Sequence, residues 1–228
     1  MRVQKWLSNA GYCSRRAAEE LIRKRKITID RKIATLGDRI TEGQEVRVNG
    51  EVVTISNTDK ILILYHKPVG VECTMKKIAG VTTLADIDFG VGRVFNIGRL
   101  DRDSRGLLLL TNDGRLCQAL SHPGNNHEKV YTVTVNKPVT ERLLKVFQQG
   151  GVSIGGKKTR PAKVKKLGEN IIEVTLQEGR NRQIRHTCIA AGHTVTDLFR
   201  TEFSGYRLGD LVAGEHKIQI LPKEMNNL

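Results

Sequence analysis

Hydrophobic positions recur along this chain with two different periods, and the change of period divides it. Near the start, Val3, Leu7 and Ala10 stand at helical spacing, and Gly11 ends that short helix. Ser14 is placed to cap a second helix from residue 15 to about residue 26, with Ala17, Ala18, Leu21 and Ile22 as its buried stripe. The runs at 27–29 and 46–48, set off by Asp30-Arg31, Gly37-Asp38 and Asn49-Gly50, predict a small twisted sheet. Residues 51–60 are polar and lack helical periodicity, so they read as a linker.

Beyond the linker the pattern is mostly that of strands. An apolar run at 61–65 is broken sharply by Pro68 and Gly70. Short buried strands are predicted at 94–97 and 107–110, and residues 128–135 alternate so that Tyr131, Val133 and Val135 share a face. Residues 157–166 read as a basic strand pair with its turn, and 171–176, 197–200 and 217–220 as further strands. Helical pieces are predicted at 82–87, 115–120, 140–148 and 181–191, the last closed by Gly192. Many strands with few intervening helices predict an α+β fold with a largely antiparallel mixed sheet. The expected division is a small domain over 1–58 and a larger one over 59–228.

Charge adds a partner to this picture. The 228 residues carry 38 Lys and Arg against 24 Asp and Glu, a net +14, with few aromatics. Residues 1–58 hold 12 of those cations against 7 acids, so both parts of the chain are basic. An excess of this size on a folded chain points to nucleic acid or an acidic membrane surface. Membrane binding is disfavoured, because no apolar stretch approaches a spanning length and the first thirty residues are charged throughout. A cytoplasmic protein is expected. Arg15, Arg16, Arg23, Lys24, Arg25 and Lys26 are too dense on the second helix for solubility alone and predict an RNA-facing patch. The alternative is a helical cap that packs on the larger domain. Cys13, Cys73, Cys117 and Cys188 have no paired spacing, and His186 and His193 lack a completing ligand set, so neither a metal nor a redox cofactor is expected.

The segment Gly98-Arg99-Leu100-Asp101-Arg102-Asp103-Ser104-Arg105-Gly106 carries the candidate chemistry. A polar, Gly-bounded loop between two buried strands should lie at the sheet's edge, holding Asp101 on a rigid base but open to a ligand. Arg99, Arg102 and Arg105 would keep a carboxylate ionised and attract a polyanion. On local chemistry alone, the default for such an aspartate is a turn residue paired with a neighbouring arginine. By the same standard Tyr131 is a core tyrosine with its hydroxyl at the rim. Arg182 and Arg185, three apart at a helix start, can face a common partner: one to bind phosphate, the other to hold Asp101.

Gly-Arg-Leu-Asp followed by Ser-x-Gly-Leu-Leu-Leu-Leu-Thr-Asn-Asp-Gly resembles the active-site signature of bacterial ribosomal RNA pseudouridine synthases. Lys67-Pro68-Val69-Gly70 resembles the opening motif of the same catalytic domain, and the first two helices with their strands resemble the alpha-L RNA-binding motif. The resemblance covers nearly the whole chain. It implies that Asp101 is the catalytic nucleophile and that Tyr131, in Glu-Lys-x-Tyr, stacks on the target base. It also implies that Arg185 of Gln-Ile-Arg pairs with Asp101, with no cofactor. Arg99 is the candidate to fill the gap left by an extruded uridine, with Arg102, Arg105 and Arg182 extending the RNA surface. Among the small-subunit synthase A and large-subunit synthase B, E and F types, Asn-His-Glu-Lys and Arg-Asn-Arg-Gln-Ile-Arg are most similar to the F branch. That branch implies large-subunit RNA near the peptidyl-transfer region as substrate, with small-subunit RNA and transfer RNA as alternatives, and a monomer is expected. His186-Thr187 after Arg185 and the missing basic tail depart from the pattern. Two other readings compete: a glycosidase using Asp103 as a second acid, and a non-catalytic RNA-binding assembly factor. The first needs a second carboxylate aimed at the reacting centre. The second gives no reason for a carboxylate in the middle of a polyanion site.

Overall fold

The structure, a computed structural model, describes residues 1–54 and 59–222. The N-terminal unit opens with α1 (Val3–Asn9) and α2 (Arg15–Arg23). Gly11 follows α1 with φ +78°, and the Ser14 hydroxyl accepts the Ala17 N–H at 3.1 Å to cap α2. Strands β1 (Ile27–Ile29), β2 (Lys32–Ile33), β3 (Val46–Val48) and β4 (Glu51–Val52) form an antiparallel sheet in the order β2-β1-β3-β4. Val3, Leu7, Ala18, Ile22, Ile27, Val46 and Val48 build a core belonging to this unit alone. The expected linker is therefore shorter than 51–60: Glu51 and Val52 pair with β3, and Val53 is buried in the same core. Residues 55–58 of that segment lie outside the described residues.

The larger unit is built on β5 (Ile61–Lys67), β6 (Phe95–Ile97), β7 (Arg105–Thr111) and β8 (Lys129–Val135), with α3 (Gly114–Ser121) and α4 (Glu141–Gln149). It continues with β9 (Ser153–Ile154), β10 (Lys157–Lys158), β11 (Lys163–Lys166), β12 (Ile171–Leu176), α5 (Gln183–Ala190), β13 (Val195–Phe203), β14 (Tyr206–Arg207) and β15 (His216–Ile220). The main sheet runs β11-β12-β8-β13-β7-β5-β15, with β6 on β7 and β14 on β13. Its described pairs are antiparallel except β13 with β7, as an α+β mixed sheet requires. Among the described residues no helix is long and apolar enough to cross a membrane.

The leucine run explains why the sheet is covered on both sides. Leu108 and Leu110 face Tyr65, Tyr131 and Val133 under α4 and α5, which contribute Leu143, Phe147, Ile184 and Cys188. Leu107 and Leu109 point the other way, to Leu62, Leu64, Phe203 and α3. Alternate side chains of one strand thus enter two cores.

Two expectations change here. The loop before β7 is not at the sheet's edge: β7 is an inner strand flanked by β5 and β13, so the loop leaves from the end of the sheet's centre. Residues 157–166 are not one strand pair either. Gly155 and Gly156, both with positive φ, turn β9 into β10 as a separate hairpin. Pro161 then intervenes, and β11 joins the margin of the main sheet on β12.

The parallel contact between β7 and β13 is unusually close. Gly106 opposes Arg200, has φ +112°, and a Cβ there would sit 2.2 Å from the Arg200 carbonyl oxygen. Gly106→Ala should therefore force the strands apart and cost at least about 3 kcal/mol. Thermal melting should show a large drop in midpoint or no folded protein. A wild-type midpoint would contradict this account of the contact.

Candidate active site

A cleft of about 730 Å³ opens where the loop before β7 meets β8, β13 and the segment leading into α5. Arg99 and Asp101 line it from the loop, Lys129 and Tyr131 from β8, Arg200 and Phe203 from β13, and Arg182 from the residues before α5. Tyr131 is buried on the face shared with Val133 and Val135, so it serves as both core residue and cleft wall. The loop itself is pinned. Its Leu100 N–H donates to the Cys73 sulfur at 3.4 Å, and the Gly70 N–H donates to the Arg102 carbonyl at 2.8 Å.

The two carboxylates of the loop are treated very differently. Asp103 is gripped by Arg182, whose Nη2 and Nη1 donate at 2.8 and 3.1 Å, and by Arg185 at 3.3 Å. The Arg182 hydrogen bonds, with the Arg185 charge behind them, hold Asp103 below the usual carboxylate range despite partial burial. Asp101 makes no side-chain hydrogen bond among the described residues. Its one ion pair is with Arg182 Nη1 at 3.8 Å, and its side chain is 32% exposed. One loop carboxylate is spent on structure and the other is left facing the cleft.

The expected pairing of Arg185 with Asp101 is not made. Arg185 donates from Nη2 to the Asp103 carbonyl at 2.9 Å and from Nη1 to the Val195 carbonyl at 3.2 Å. Arg182 lies before the first turn of α5 in a left-handed conformation, φ 51°, which swings it across Asp103 toward Asp101. Arg185, within the first turn, reaches the loop's main chain instead. The two arginines do share a partner, but that partner is Asp103.

The flanking arginines also divide. Arg99 is exposed and lines the cleft. Arg102 is exposed, with Nε donating to the Gly70 carbonyl at 3.2 Å, and does not line the cleft. Arg105 is turned away: it binds Asp197 at 2.8 Å and lies 4.1 Å over the Phe199 ring, so it ties β7 to β13. On α2 and the turn after it, Arg15, Arg16, Arg23, Lys24, Arg25 and Lys26 are all exposed. No group of metal-ligating side chains occurs among the described residues; His193 is buried between the Ala191 and Pro138 carbonyls.

Three buried or half-buried cations were not anticipated from sequence. Lys67 is fully buried, donating to the Pro68 and Val71 carbonyls at 2.9 and 2.8 Å, and burial pulls its pKa down against the charges of Cys73, Glu72, Asp103 and Asp101. Lys129 and Arg200 sit in the cleft wall. Strand parity was the available signal for Lys129, which is two residues before Tyr131 and so on its face. An arginine inside the apolar run of β13 was the signal for Arg200.

Comparison with known proteins identifies the family. The family described as RNA pseudouridylate synthase matches residues 61–190, and the S4 domain matches residues 1–46. The chain is 39% identical over 216 residues to the dual-specificity RNA pseudouridine synthase RluF of Escherichia coli, covering 94% of this chain and 74% of the relative. It is 36% identical to the ribosomal large subunit pseudouridine synthase B of Bacillus subtilis, covering 100% of this chain and 95% of that one. A solved structure titled as a pseudouridylate synthase superposes with a TM-score of 0.69 at 27% identity, covering 100% of this chain and 98% of that chain. With an S4 domain preceding a catalytic domain that carries a free aspartate in a cationic cleft, the chain belongs to the RNA pseudouridine synthase family and is an enzyme of that family.

Proposed function

We propose that this enzyme isomerises one uridine of ribosomal RNA to pseudouridine, with Asp101 as nucleophile, and that the RNA is that of the large subunit. The single observation behind the assignment is the division of labour in the loop: Arg182 and Arg185 hold Asp103, which leaves Asp101 available at the cleft. The name of the Bacillus relative supports the large subunit as substrate.

In this reading the target uridine is unstacked and turned into the cleft. Asp101 attacks the anomeric carbon of the ribose as the bond to N1 of the base breaks. The base turns beside Tyr131, C5 displaces the carboxylate from the anomeric carbon, and the C5 proton leaves while N1 gains one. Nothing external is transferred. A glycosidase would need a second, protonated carboxyl to release the base. Asp103 suits that role poorly, because its arginine partners favour the ionised form. Arg182 is the cation nearest the nucleophile, and Arg185 is a positioning residue that fixes the loop through its main chain. The expected units, 1–58 and 59–228, are proposed as the RNA-gripping and catalytic halves, since each has its own core.

Asp101→Asn should abolish tritium release from ribosomal RNA labelled at C5 of uridine while leaving RNA binding near normal. Turnover within tenfold of wild type would remove Asp101 from the chemistry. Arg185→Lys keeps the charge but cannot reach both the Asp103 and Val195 carbonyls, so single-turnover rates should fall at least about tenfold with affinity little changed. A silent Arg185→Lys would show that the loop holds its shape without the clamp. Removal of residues 1–58 should weaken RNA binding and flatten its salt dependence, since fewer phosphates are neutralised. An unchanged slope in filter binding would make the N-terminal unit a packing cap.

A further inference from the structure

The cleft wall contains two cations, Lys129 and Arg200, that form no ion pair within 4 Å among the described residues. Arg200 is 1% exposed. Its Nε donates to the Leu107 carbonyl at 2.8 Å and its Nη1 to the Arg99 carbonyl at 3.5 Å, while the buried Nη2 has no hydrogen-bond partner among the described residues. Lys129 lines the same cleft and spends one of its three donors, on the His127 carbonyl at 3.2 Å. Both lie against one ring: Arg200 is 5.0 Å from the centre of Phe203 and Lys129 is 5.4 Å from it. The β13 register shift between Arg200 and Glu202 makes this arrangement. It leaves Arg200 opposite Tyr131 and Phe203 opposite Lys129.

A buried guanidinium and a half-buried ammonium side by side are costly without an anion. Burial first, and then the Arg200 charge, draw the Lys129 pKa down. The Glu178 charge opposes that shift, but its carboxylate is also held by Arg180 at 3.1 Å, by Gln183 at 2.7 Å and by the Arg160 N–H at 2.8 Å. Gly179 lies beside the Lys129 stem, where a Cβ would be in ordinary van der Waals contact with its Cε at 3.9 Å.

We propose that Lys129, backed by Arg200 across the Phe203 ring, is an anion subsite of the cleft that takes a backbone phosphate flanking the uridine in the pocket. The proposal rests on the reading of the cleft as a uridine site. The phosphate would supply an anion in direct contact, and Lys129 would present its remaining donors to it. Tyr131, two residues on along the same strand face, would then stand a fixed distance from the phosphate. The subsite sets where the extruded nucleotide comes to rest relative to Asp101.

The test uses the full-length enzyme and the ribosomal RNA fragment that tritium release shows to be turned over. Lys129→Gln should raise KM at least about tenfold and lower the salt slope of binding by about 0.7, the value for one phosphate on a single strand. Lys129→Arg, which keeps the charge, should restore both and so separates a lost contact from a lost fold. Neutral methylphosphonates are then placed in turn 5′ and 3′ of the uridine. At one of the two positions wild type should lose about as much affinity as the Lys129→Gln change costs, and the variant should lose little more. Losses that multiply at both positions would overturn the proposal. So would a defect confined to kcat with an unchanged salt slope, which would assign Lys129 to the base or sugar. Failure of the Asp101 nucleophile reading would show differently, as turnover by Asp101→Asn, and failure of the isomerase reading as no tritium release by wild type from any ribosomal RNA; either would leave the salt slopes of binding standing.

Discussion

The close approach of β13 to the start of β7 is the constraint on which the site depends. With glycine at 106, the Arg200 main chain can press against the strand that begins where the active-site loop ends. This brings the parallel strand into register with β8 on its other side, so Arg200 opposes Tyr131 while also touching the loop carbonyl of Arg99. Arg105 on Asp197 and Phe199 strengthens the same seam. Loop, tyrosine and buried cation are thereby fixed to one another through backbone rather than through flexible side chains, which suits a site that must orient a turning base.

Electrostatics then sorts the residues the backbone has assembled. A loop with two aspartates near two arginines could form several pairings of similar charge balance. Here Asp103 takes the bidentate grip of Arg182 and the reach of Arg185, and Asp101 is left with a 3.8 Å contact. In the role proposed for Asp101, a direct two-pronged grip by an arginine would occupy the oxygens that must attack. Holding its neighbour instead fixes the loop and leaves the oxygens open. Lys129 and Arg200 extend the logic to the opposite wall, where positive charge is held without an ion pair among the described residues.

Much of this was legible in the sequence, and the reasons for the gaps are physical. Helical spacing located α1 and α2, and Ser14 marked the cap of the second, because these signals are local. Alternation located β8 and the buried face of Tyr131 for the same reason. The position of the loop within the sheet was not legible, since strand order depends on long-range pairing that a period of two does not encode. Charge pairing fell in the same gap: Arg105 on Asp197 and Arg185 on the Asp103 carbonyl span 92 and 82 residues. The linker was overestimated because Glu51 and Val52, polar in context, gain their strand only by pairing with β3. Parity placed Lys129 on the Tyr131 face of β8, but its meeting with Arg200 at the Phe203 ring depends on the register shift in β13, which the sequence does not encode.

On the proposal above, the carboxylate at position 101 converts a uridine of large-subunit RNA. The most direct test of this is a pseudouridine map of ribosomal and transfer RNA by chemical labelling and primer extension. Three cell lines are compared: wild type, cells lacking the gene, and cells whose only copy encodes Asp101→Asn. The account predicts that a large-subunit site present in wild type is missing in both of the others. A site that persists with Asp101→Asn but disappears without the gene would contradict it.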